Sequence, residues 1–152
     1  MKRLPLILDG RAVREGIRAR LIEQFARRTI GALVIAQVGA NEASNAYIAQ
    51  KKKFGAELGV RVVHASFPET IAESALIAHI ATHNADDSVA GIIVQLPLPA
   101  YLNQQRIQNA VALAKDVDGL AEGSSFTPAT ARAVAELLDF YGIKVAGERI
   151  AV

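Results

Sequence analysis

The chain has 152 residues, 51% of them apolar and 21% charged, with a formal net charge of +2 at pH 7. That length supplies one domain with a real hydrophobic core and is short for two. The small charge, with no aromatic residues interleaved along a basic stripe, excludes an electrostatic case for nucleic acid, and the absence of cysteine excludes a disulfide framework, a thiolate metal site or a cysteine nucleophile.

The opening Met1 to Asp9 is basic and then apolar, but Asp9 and Arg11 cut it too short for a signal peptide. No later stretch is long enough to cross a membrane. A cytoplasmic protein that binds neither membrane nor nucleic acid is the expectation.

After Asp9-Gly10, the residues Val13, Ile17, Leu21 and Phe25 recur at four-residue spacing with charged residues between them. This predicts an amphipathic helix over about 10–28. Ala32 to Val38 is a continuous apolar run ending at Gly39, the pattern of a strand buried on both faces. Ser44-Asn-Ala-Tyr47-Ile-Ala-Gln-Lys51-Lys-Lys53 follows as a helix, with Asn41 or Ser44 as its cap and Gly59 as its stop. Val60 to Ser66 reads as a second strand, Ile71 to His83 as a helix, and Val89 to Gln95 as a third buried strand closed by Leu96-Pro97-Leu98-Pro99. A helix of about ten residues is expected after Leu102. Lys115-Asp116-Val117-Asp118-Gly119 comes next, then a Gly/Ser stretch and a helix over Thr127 to Tyr141. Gly147 to Val152 reads as the start of another strand. Strands alternating with helices predict βαβ units: an α/β chain of three layers, α/β/α, around a mostly parallel sheet. Ligands of such sheets bind at the carboxyl edge of the strands, where Gly39, Gln95 and the start of the Tyr47 helix fall.

Four groups carry candidate chemistry. Tyr47 and Lys51 lie four residues apart and would share one helix face, with the Ser44 hydroxyl one turn earlier. A lysine beside an aromatic wall can hold a flat substrate and move a proton; equally, Lys51, Lys52 and Lys53 can be a solvated charge run. Gln95, at a strand end, can donate to and accept from a heterocycle, or cap the turn behind it. Pro97 and Pro99 offer a rigid apolar wall. Asp116 and Asp118, flanking Val117 in an extended segment, should point to opposite sides. One would face a pocket and suit adjacent N–H donors, or cap an Asx-turn before Gly119. His64, His79 and His83 form no metal set, and His79 and His83 read as surface residues of one helix. Tyr47-x-x-x-Lys51 also matches the pair of short-chain dehydrogenases, but no glycine-rich dinucleotide turn precedes it.

Taken in order, Asp9-Gly10-Arg11, Val38 to Lys53, Gly91-Ile-Ile-Val-Gln95-Leu-Pro-Leu-Pro99 and Lys115-Asp-Val-Asp118-Gly119 resemble the bifunctional methylenetetrahydrofolate dehydrogenase/methenyltetrahydrofolate cyclohydrolase family through nearly the whole chain. The resemblance implies one-carbon folate metabolism: NADP-dependent oxidation of 5,10-methylenetetrahydrofolate and hydrolysis of the methenyl product to 10-formyltetrahydrofolate. It implies that residues 1–146 are the catalytic domain, with a tetrahydrofolate derivative as substrate. Residues 147–152 would be the first strand of an NADP-binding Rossmann domain that is absent here. By the same resemblance Lys51, Tyr47 and Gln95 are catalytic: Tyr47 stacks on the folate, Lys51 assists proton transfer, and Gln95 hydrogen-bonds and tunes Lys51. Tyr47, Ser44, Val94, Gln95, Leu96, Pro97, Pro99 and Asp118 bind substrate, Asp118 at the pterin edge. Pro128-Ala-Thr130-Ala131 stands where the family has Pro-Cys-Thr-Pro, so Thr130 is the one cofactor-side contact carried over. The alternative is a folate- or partner-binding half, inactive alone, that joins a second copy or a complementing chain through the strand at Arg149 to Val152.

Overall fold

A computed structural model describes residues 6–149. Three strands, β1 (Ala32–Val38), β2 (Val62–Phe67) and β3 (Val89–Gln95), form a parallel sheet in the order β2-β1-β3. Right-handed crossovers in that order put the β1–β2 helix and the β2–β3 helix on opposite faces. The core divides accordingly. Ile35 and Ile93 meet Ile48 of α2 (Glu42–Glu57) on one face. On the other face Val34, Ala36, Ile92 and Val94 pack against Leu76 and Ile80 of α3 (Glu73–Asn84) and against Ile107 of α4 (Gln104–Gln108). The three-layer expectation holds. The remaining helices, α1 (Gly10–Phe25) and α5 (Ala129–Phe140), pack on each other at one side, where Arg20 and Glu136 pair at 3.8 Å.

Each helix that positions the site starts on a cap readable in the sequence. Asp9 accepts from Arg11 N at 2.9 Å, and Asn41, rather than Ser44, accepts from Ser44 N at 3.0 Å. Gly39 turns the chain from β1 into α2 at φ +78°, a conformation glycine adopts without a Cβ penalty.

Three expectations need correction. The helix after Leu102 has five residues, not about ten. Asn84, from α3, donates to Ala110 O at 2.8 Å and accepts from Ala112 N at 2.9 Å, drawing the chain out of the helix. Asp116 to Asp118 is not extended throughout: Asp116 bridges Ile92 in parallel, and Val117-Asp118 is a turn. His79 and His83 are not plain surface residues. Their rings meet edge-to-face at 4.6 Å, His79 also meets Phe67 at 4.8 Å, and His79 Nε2 is buried without a partner among the described residues. Burial, with the charge of His83, lowers the His79 pKa. Of the segment expected to begin a further strand, residues 147–149 are turn and coil, and 150–152 lie outside the described residues.

Candidate functional site

The chain leaves β1 into α2 on one face of the sheet and leaves β3 toward α4 on the other. Adjacent parallel strands whose following segments part in this way open a crevice at their carboxyl ends. Gln95 is the last residue of β3 and lies in register with Gln37 of β1.

Lys51 comes to this edge from α2. Its Nζ donates to Gln95 Oε1 at 3.2 Å, and Gln95 Nε2 donates to Leu96 O at 2.8 Å. Ser44 Oγ donates to the same carbonyl at 3.2 Å. Leu96 O thus joins the first turn of α2 to the end of β3, and the Gln95 amide is oriented with its oxygen toward the amine. Ser44 itself is buried toward the sheet with Ile48, so its hydroxyl serves the backbone and does not share the open face of Tyr47.

Asp116 and Asp118 divide the roles that a carboxylate could take. Asp116 is buried and accepts from Gly119 N at 3.1 Å and Ala121 N at 2.9 Å, which closes the turn. Asp118 is half-buried. Burial pushes its carboxyl above the ordinary value near 3.8; the ammonium of Lys51 acts against that shift, and Asp116 adds to it. Lys51 and Asp118 therefore feel one another's charge across the crevice. A half-buried carboxylate with no hydrogen-bond partner among the described residues suits a ligand edge bearing paired N–H donors.

Tyr47 shares the Lys51 face of α2 and is 61% exposed, so its ring is available to a ligand rather than engaged in the core. Pro97 and Pro99, with Val38, Asn41, Glu69 and Leu98, line a cleft of about 340 Å³ beside the Leu96 turn, where the Leu96–Pro97 peptide is cis. Val94 is buried on the α3/α4 face, where it lines a small cavity together with Asp118. Thr130 is exposed in the first turn of α5, and among the described residues no hydrogen bond ties it to the Lys51 group.

Lys52 turns away from the crevice, with Nζ 3.4 Å from His64 Nδ1. Lys53 lines a groove of about 600 Å³ between α1 and α2, together with Arg14, Arg18, Lys51, Phe54 and Glu57. Sequence reasoning missed the hydrogen-bonded cluster of buried Gln37, half-buried His64 and exposed Asn45 between the sheet and α2. A glutamine and a histidine inside otherwise apolar strands were the available signal.

The tetrahydrofolate dehydrogenase/cyclohydrolase catalytic-domain model matches residues 8–118. The cytoplasmic C-1-tetrahydrofolate synthase of Schizosaccharomyces pombe is 37% identical over 98% of this chain, which spans 18% of that protein. Among solved structures, the bifunctional FolD methylenetetrahydrofolate dehydrogenase/cyclohydrolase of Campylobacter jejuni superposes with a TM-score of 0.86 at 34% identity, over 92% of this chain and 55% of that one. The Trypanosoma brucei methylenetetrahydrofolate dehydrogenase-cyclohydrolase, solved with NADP cofactor and an inhibitor, gives 0.87 at 28% identity, over 96% and 56%. The chain thus spans about half the length of the FolD structures it matches. It belongs to the tetrahydrofolate dehydrogenase/cyclohydrolase family and corresponds to its catalytic domain.

Proposed function

We propose that residues 1–146 form a folate-handling unit that binds a tetrahydrofolate derivative across the β1/β3 crevice and hydrolyses 5,10-methenyltetrahydrofolate to 10-formyltetrahydrofolate. The observation that carries this is the Lys51–Gln95 hydrogen bond at the strand ends, with Asp118 charge-coupled to the same lysine.

In the proposed chemistry Asp118 accepts the paired N–H donors of the aminopyrimidine, and the exposed Tyr47 ring stacks on the substrate. Gln95 holds the Lys51 amine at the one-carbon bridge. Water adds to the bridging carbon, forming a C–O bond while the C=N⁺ pair returns to nitrogen. The water proton leaves through Lys51. The tetrahedral adduct then gives up its remaining hydroxyl proton to solvent, its oxygen forming the formyl C=O as the bond to N5 breaks, and the proton held by Lys51 passes to that nitrogen and lets it leave. One proton is released per turnover, which balances the loss of the substrate's positive charge.

Dehydrogenation of the methylene compound would need a hydride acceptor, which NADP supplies when bound. Thr130 is the only carried-over contact for a nicotinamide nucleotide, and its exposed place on α5 makes no cradle for one, so no step here runs through that cofactor. We also propose a cytoplasmic location, in keeping with the name of the S. pombe relative; no helix among the described residues is long and apolar enough to cross a membrane.

The test follows methenyltetrahydrofolate decay optically with the wild-type chain and Lys51→Met. Wild type should exceed the buffer rate and the variant should fall to it. Equal rates for the two chains would defeat the assignment.

A further inference from the structure

Gln37 is only 2% exposed, on the central strand β1, yet it is polar. Its register partner on β3 is Gln95, and paired residues on parallel strands point to the same face, here the α2 face. Gln37 Nε2 donates to Asn45 Oδ1 at 2.8 Å, and its Oε1 lies 2.7 Å from His64 Nε2. The far side of the histidine meets Lys52 Nζ at 3.4 Å.

An ammonium only donates, so His64 Nδ1 accepts from Lys52, and Nε2 carries the proton that goes to Gln37. That in turn turns the Gln37 NH₂ toward Asn45. The cluster is thus a one-directional donor chain, Lys52 to His64 to Gln37 to Asn45, and both of its ends are on α2. Asn45 and Lys52 are two helical turns apart on one face. Side chains from β2 and β1 therefore grip α2 at two heights, beside the face that presents Lys51.

Such a grip resists two motions: rotation of the helix about its axis and sliding along it. Successive side chains lie about 100° apart around the helix, so holding Lys52 against His64 fixes the direction of Lys51. The Lys51–Gln95 bond is already long at 3.2 Å, and a small rotation would break it.

We propose that Gln37 and His64 are positioning residues, which hold α2 in the rotation that keeps Lys51 on Gln95. The kinetic part of this rests on the hydrolase function proposed above; the geometric part does not. Burial and the charge of Lys52 both lower the His64 pKa, so the donor chain uses the neutral ring. Lys52 of α2 is the charged group facing that ring, and Gln37 of β1 is neutral. Protonating Nδ1 would set two cations against each other and release Lys52.

The experiment compares Gln37→Leu, His64→Phe and His64→Gln with the wild-type chain by methenyltetrahydrofolate hydrolysis, and by the NMR shifts of Lys51 Cε and the Gln95 side-chain amide without substrate. Glutamine at position 64 can both accept from Lys52 and donate to Gln37. Gln37→Leu and His64→Phe should lower kcat about tenfold with KM changed less than about twofold, and should move both resonances. His64→Gln should restore kcat to within about threefold of wild type and flatten the fall in kcat below pH 6.5. If Gln37→Leu does not fold, the two His64 variants decide alone. Folded variants with wild-type kcat and unmoved Lys51 and Gln95 resonances would overturn the proposal. So would a His64→Gln chain as impaired as His64→Phe. If the wild-type chain does not hydrolyse the substrate, the hydrolase function fails and the resonances alone decide the positioning role.

Discussion

Asp118 and Tyr47 show how differently two members of one site can bear on stability. Asp118 has a folded-state pKa raised above 3.8, chiefly by burial. The native state therefore holds its proton more tightly than the unfolded chain does. The stability linked to this group is fully present below pH 3.8 and is lost as pH rises through the folded value. At neutral pH the half-buried carboxylate costs stability. Asp118→Asn should therefore unfold at higher urea than wild type at pH 7, with the difference shrinking toward pH 4. Its affinity for the folate should fall about 10- to 100-fold, the scale of a lost hydrogen bond to a charged group. Urea midpoints at the two pH values and a binding titration check both parts. Tyr47, 61% exposed, predicts the opposite profile. Tyr47→Ala should leave unfolding free energy within about 0.5 kcal/mol of wild type, while folate affinity drops about three- to tenfold through the lost stacking.

Helix α2 carries Tyr47 and Lys51, and its seating depends on Gly55 against β2 and on the Asn41 cap. Gly55 lies where a Cβ would come 2.5 Å from Val62 Cγ2 and 3.0 Å from Val60 O. Alanine gains about 1 kcal/mol over glycine inside a helix, but overpacking against a stiff β-branched side chain and a backbone oxygen costs about 1–3 kcal/mol. The second effect should win. Gly55→Ala is expected to lower Tm by a few degrees and to slow hydrolysis, because α2 must lift from β2 and carry Lys51 with it. Asn41→Ala should cost about 1 kcal/mol through the lost cap, and thermal unfolding of both variants checks the pair. The elements themselves were legible unequally. Ala32–Val38 and Val89–Gln95 emerge with their true bounds because each is a buried apolar run stopped by local chemistry, Gly39 in one case and the Pro97 corner in the other. The short α4 was not legible, since its end is decided by Asn84, which is remote in sequence. Gln95 and the helix that carries Lys51 were legible because the strand-end rule puts them on one edge, whereas Asp118 was carried by the family resemblance and not by its local pattern, which folds as a turn. Gln37, Asn45 and His64 were not legible, because only the pairing of β1 with β2 and the packing of α2 on them bring the three together.

At the scale of the molecule, burial is uneven in a way that should appear in its dynamics. The sheet and the helices on its two faces hold nearly all of the buried side chains, whereas α1 contributes Val13 and α5 contributes none among the described residues. The α1/α5 pair is tied back to α2 by the exposed Arg18–Glu57 ion pair at 2.7 Å, while Asp9 N donating to Tyr141 Oη at 2.9 Å joins the two helices to each other. Exposed ion pairs contribute about 0–1 kcal/mol each, so this pair should open without unfolding the sheet. Native-state hydrogen exchange should therefore separate two classes: amides of β1 protected up to the global unfolding free energy, and amides of α1 and α5 exchanging through a lower-energy opening. On the proposed reading, a folate bound in the β1/β3 crevice would contact the sheet and α2 but not α1 or α5. Saturating it at about 100 times its Kd should raise protection in β1 and β3 by about 2.7 kcal/mol, with α1 and α5 unchanged. Equal protection of β1, β3, α1 and α5 would show that the helix pair unfolds together with the sheet. A ligand-induced rise shared by α1 and α5 would show instead that the folate reaches across the groove between α1 and α2.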